Sequence, residues 1–126
     1  MENILNLNKN TKCLIVNSSN VIVIARDNIT EAKLEVEERN EFAGRRKYEW
    51  SYAAGHHGFR VVEITEDLDL SKFRIEKSAA TAGYLMGNEF FPRDKGIEAI
   101  TQVLINIKEN SKFVPIYELH YAPNKD

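Results

Sequence analysis

Residues 13–16 (CLIV) and 21–25 (VIVIA) are two apolar, largely β-branched runs on either side of Asn17-Ser18-Ser19-Asn20. Side chains branched at Cβ suit a pleated strand, and four turn formers between two such runs predict a β-hairpin. Neither run alternates with polar residues. The hairpin is therefore expected at the centre of a sheet, covered on both faces.

The remaining elements are built around that hairpin. Residues 30–42 (TEAKLEVEERNEF) support two readings. Leu34 and Val36 alternate with Glu35 and Glu37, which favours a strand, whereas the helix formers and the spacing of Glu31, Glu35 and Glu38 favour a helix. The strand is preferred. Tyr48, Trp50 and Tyr52 alternate with Glu49 and Ser51, and residues 59–65 (FRVVEIT) follow a turn bracketed by Gly55 and Gly58. These two segments predict a second hairpin. Past the acidic connection at 65–70, Ala79, Ala82, Leu85 and Met86 point to a helix over 72–88, with Ala79, Gly83 and Gly87 forming a small-residue stripe. Pro92, then Ile97, Ile100, Leu104 and Ile107, predict a second helix that stops at Asn110-Ser111. The last strand, within FVPIYELHY, contains Pro115, which cannot donate a ladder hydrogen bond, so it is expected at a sheet edge or with a bulge. The fold class expected is α+β: an antiparallel sheet of about five or six strands, with two helices from the C-terminal half packed on one face. One domain over 1–126 is expected, with 1–11 and 123–126 mobile.

Bulk properties narrow the function. Net charge is -2, so the basic excess that phosphate contacts demand of a nucleic-acid binder is missing. Cys13 is the only cysteine, which rules out a disulfide within one chain and suits a reducing, cytoplasmic compartment. Cys13 itself reads as a small core residue. No apolar run approaches the roughly 20 residues of a spanning helix, and the N-terminus lacks a signal pattern. The sequons at Asn17 and Asn28 read as chance. The Asn, Lys and Ile content hints at a low-GC bacterium or its phage.

No nucleophile elbow, phosphate loop, dinucleotide fingerprint or Cys-x-x-Cys occurs, which argues against an enzyme, and no cofactor or metal is expected. Residues 45–60 (RRKYEWSYAAGHHGFR) bring cations, aromatics and imidazoles into one stretch. Arg45, Arg46, Trp50, His56, His57 and Arg60 are therefore candidate ligand-binding residues for a small anionic, nucleotide-like molecule. Along a hairpin, Arg45 and Arg46 would lie more than ~20 Å from Arg60, so completing the pocket needs a dimer or the loop before Tyr48 folding back, and a homo-oligomer is expected. The plainer readings are a core Trp50, exposed turn histidines and a solvated cationic rim. Arg93 and Lys95, at the start of the second helix, add a further anion site where backbone N–H groups are free, unless Asp94 caps the helix instead.

Two alternatives stand beside the ligand binder. Glu31, Glu35, Glu37, Glu38 and Glu41 form an acidic face. Glu35, Glu37 and Glu38 are its candidate partner-binding residues for a basic protein, as in an inhibitor or immunity-type protein. The second is a metal-independent phosphodiesterase with His56 and His120 as acid and base and Arg60 on the phosphate.

Overall fold

The computed structural model describes residues 3–45 and 58–122, and for 42–45 the backbone alone. The chain divides into two compact units, one of residues 10–74 and one of residues 1–9 with 75–126. The class is α+β. Among the described residues the single sheet of five or six strands is replaced by two mostly antiparallel sheets, of four and three strands.

In the 10–74 unit, β1 (Cys13–Asn17) and β2 (Val21–Arg26) form the expected hairpin, and β1 is buried at all five positions. The Asn17 side-chain oxygen accepts from the N–H groups of Ser19 (2.9 Å) and Val21 (3.0 Å), and Asn20 takes a positive φ of 63°. An asparagine at each end thus closes the turn. β3 (Phe59–Glu63) pairs with β1 on the side away from β2, giving the order β3-β1-β2-β4, and the unit ends at Arg74, the first residue of the short edge strand β4 (Arg74–Ile75).

The preferred strand at 30–42 is instead a helix, α1 (Ile29–Arg45). Asn28 fixes its start, its side-chain oxygen accepting the Glu31 N–H at 2.9 Å. Ile29, Ala32 and Val36 recur at helical spacing and pack on Cys13, Ile15 and Phe59 of the sheet. The alternation that favoured a strand spans only four residues and loses to this longer stripe.

In the second unit, Asn3 bridges Tyr117 and Leu7 is 1% exposed, so the first residues described are packed. The expected helix over 72–88 is replaced by strands. β5 (Thr81–Met86) and β6 (Glu89–Pro92) form a hairpin around Gly87-Asn88. Gly87 has φ 61°, the glycine-first pattern of a II′ turn. Two glycines of the small-residue stripe serve strands rather than a helix face. A Cβ on Gly83 would lie 2.5 Å from the Phe90 ring and 2.5 Å from the Phe91 carbonyl oxygen, so the glycine admits a ring across the sheet. β7 (Ile116–His120) pairs with the other side of β5 and begins just after Pro115, at a sheet edge as expected.

α2 (Gly96–Asn110) follows a 3-10 turn at Arg93–Lys95 and buries Gly96, Ala99, Ile100 and Val103 against the three-stranded sheet. It ends where expected, with Ser111 in the left-handed region (φ 50°) and the Lys112 N–H turned back to the Asn106 carbonyl. Among the described residues one α-helix therefore lies in each unit, and one of the two in the C-terminal half.

Candidate functional site

α1 sorts its glutamates into two groups. Glu35 points towards the sheet edge. It accepts Arg26 Nε (2.7 Å) and Nη2 (3.3 Å), and Arg39 Nε at 2.9 Å one turn on. These donors, Arg26 foremost, hold its carboxyl below the ordinary carboxylate range despite partial burial. Arg39 in turn lies over the Phe59 ring at 5.6 Å. Asn40 completes the attachment, accepting the Phe59 N–H at 2.7 Å and donating to the Phe59 carbonyl at 3.2 Å. Glu35 thus fastens α1 to the sheet.

Glu31, Glu37, Glu38 and Glu41 are exposed, with Lys33 among them. Among the described residues, Glu37 and Glu38 form no ion pair. Leu34 stands between them, three residues from Glu31 and Glu37, four from Glu38 and seven from Glu41, and is 57% exposed. At 3.6 residues per turn these positions share one face. Leu34 is not singled out by the sequence, because the strand reading places it inside. The Asn-x-x-Glu start at Asn28 is the signal that would have shown it.

Of the expected ligand-binding residues, Arg46, Trp50, His56 and His57 and the side chain of Arg45 lie outside the described residues. Arg60 belongs to β3 and is held locally. Its Nη2 donates to Asn20 Oδ1 at 2.7 Å and its Nη1 to the Asn17 carbonyl at 3.4 Å, and its guanidinium lies 5.8 Å from the Phe73 ring centre. It braces the β1–β2 turn. Arg60 is part of one unit, and Arg93 and Lys95 of the other.

In the second unit, Arg93 Nη1 donates to the carbonyls of Ser78 (2.8 Å) and Thr81 (3.0 Å). Asp94 does not cap the helix; it pairs with Lys77 Nζ at 2.5 Å, which holds its carboxyl below the usual range. Lys95 lies 3.8 Å from Glu98. No side chain caps either the 3-10 turn or α2. Beneath this start lies Tyr84, fully buried, whose hydroxyl has no hydrogen-bond partner among the described residues. Burial, then the Glu118 charge, pushes the phenol up. Its cross-strand neighbour Glu118 accepts the Thr81 hydroxyl at 2.5 Å and lies 3.5 Å from His120 Nε2. His120 itself is largely exposed. Tyr84, Thr81 and Glu118 do not stand out in the sequence, where 72–88 reads as a helix.

Cys13 is buried, with burial as the main cause of its raised thiol pKa, as expected of a core residue rather than a nucleophile. No helix among the described residues is long and apolar enough to cross a membrane, and no three metal-ligating side chains converge there. Family models, curated proteins and solved structures yield no match to the chain.

Proposed function

We propose that the protein is a non-enzymatic binding module that docks a basic protein through the outward face of α1, as an inhibitor or immunity-type protein does. One observation carries this reading: Leu34, 57% exposed, sits amid Glu31, Glu37, Glu38 and Glu41. An apolar side chain within a charged rim has the anatomy of an interface anchor. The rim steers an oppositely charged partner over a range set by ionic strength, and desolvation of the leucine slows its departure. The partner then carries an apolar socket bordered by Lys or Arg.

Capture of a nucleotide-like anion has less support. Arg60 is engaged by Asn17, Asn20 and Phe73, which leaves Arg93 and Lys95 as its other described members. The phosphodiesterase reading rests on His56, which lies outside the described residues, and on His120, which is largely exposed and 3.5 Å from Glu118.

The test is affinity capture from a lysate of the source organism with wild-type protein and the L34A and E37K/E38K variants. The expected result is a basic protein retained by the wild type, weakened about tenfold by L34A and lost with E37K/E38K. All three replaced positions are exposed, so stability is expected to stay within about 0.5 kcal/mol of wild type. Identical protein profiles on all three would refute the proposal.

A further inference from the structure

Around the start of α2, the Tyr84 hydroxyl and part of the Arg93 guanidinium have no acceptor among the described residues. The leading N–H groups of a helix have no partner within it, and here neither Pro92 nor Lys95 supplies a side-chain cap. Tyr84 reaches this point from β5. Its ring packs on Gly96 so closely that a Cβ there would lie 2.9 Å from Cε2. The phenol oxygen is one bond beyond the carbon next to Cε2, so it ends beside the first residue of α2. That oxygen is out of solvent contact and has no partner among the described residues. Burying a hydroxyl with no partner costs about 1–3 kcal/mol, so a native fold that keeps one invites an occupant. Arg93 adds a third donor. Its Nη1 is fixed by two carbonyls, while Nε and Nη2 have no partner among the described residues.

We propose that the start of α2 is a site for a small oxyanion, a carboxylate or phosphate group, received by the Tyr84 hydroxyl, the free edge of Arg93 and the leading N–H groups of the helix. The two carboxylates facing Tyr84 are already held, Asp94 by Lys77 and Glu118 by Thr81. Lys77, Arg93 and Lys95 stand against Asp94 and Glu118, and Glu98, near Lys95, makes the signs even. Selection therefore rests on oriented donors rather than on net charge, as at other helix starts that take anions. The sealed hydroxyl limits the occupant to a small group.

The test compares wild type with Y84F, which removes only the unpartnered hydroxyl and is expected to fold with unchanged or greater stability. Inorganic phosphate and acetate are titrated at constant ionic strength, with amide shifts of Gly96 and Ile97 and the melting temperature as readouts. Saturable shifts at both amides are expected with at least one of the two ions, together with a melting temperature raised for wild type. Affinity should fall about tenfold in Y84F. A response to phosphate alone assigns a phosphate group, and a response to acetate alone a carboxylate. Equal responses of wild type and Y84F would mean an adventitious ion only and would overturn the proposal. No saturable shift with either ion would also overturn it.

Discussion

Glu35 and Asn40 are single residues on which the attachment of α1 depends. Glu35 accepts hydrogen bonds from two arginines, and its carboxyl is held below the ordinary range by them. A carboxylate with a depressed folded pKa adds stability that is fully present above its unfolded value, about 4.3. That contribution fades as pH falls through the folded value. E35Q is therefore expected to lose about 1 kcal/mol at pH 7, and the gap from wild type should narrow towards pH 3 in urea titrations. A gap independent of pH would contradict the ionic account. Asn40 both donates to and accepts from the backbone of Phe59, where β3 begins. Asp at this position can still accept the N–H but sets a carboxylate against the carbonyl. N40D is therefore expected to be no more stable than N40A at pH 7, each about 1 kcal/mol below wild type in thermal unfolding.

At the scale of elements, the two misread segments were misread for opposite reasons. Residues 30–42 carry a brief period-two alternation inside a longer stripe of Ile29, Ala32 and Val36, and the stripe governs because it buries against the sheet. The Asn28 cap was legible but lies outside the alternating segment. Residues 72–88 carry small residues at helical spacing, yet Gly83 serves the Phe90 ring and Gly87 serves a tight turn. Spacing alone cannot tell a helix face from a ring lying across a strand. The β1–β2 hairpin, α2 and the edge position of β7 were legible because local chemistry and tertiary burial agree there. Gly96 gives a test at this scale. Helix propensity favours Ala over Gly by up to about 1 kcal/mol. A Cβ on Gly96, however, would meet Ile75 Cδ1 at 2.3 Å and Tyr84 Cε2 at 2.9 Å. Overpacking governs, so G96A is expected to destabilise by about 1–3 kcal/mol in urea unfolding. A stabilised variant would refute the close packing of Tyr84 on α2.

For the whole molecule, the division into two units separates two kinds of surface. The acidic face of α1 belongs to the unit of residues 10–74, and the donor-rich start of α2 to the other. The sequence marked the residue types at both, in Glu37, Glu38, Arg93 and Lys95. It hid Leu34 and Tyr84, whose roles depend on which element they occupy. In the proposed role, α1 recruits a basic partner by long-range attraction around an apolar anchor. The association rate constant of the captured partner, measured from low to high salt for wild type and E37K/E38K, tests it most directly. A wild-type rate that falls about tenfold or more with salt, and a variant that starts slow and changes little, is the predicted result. Equal rates for the two proteins at every ionic strength would contradict it.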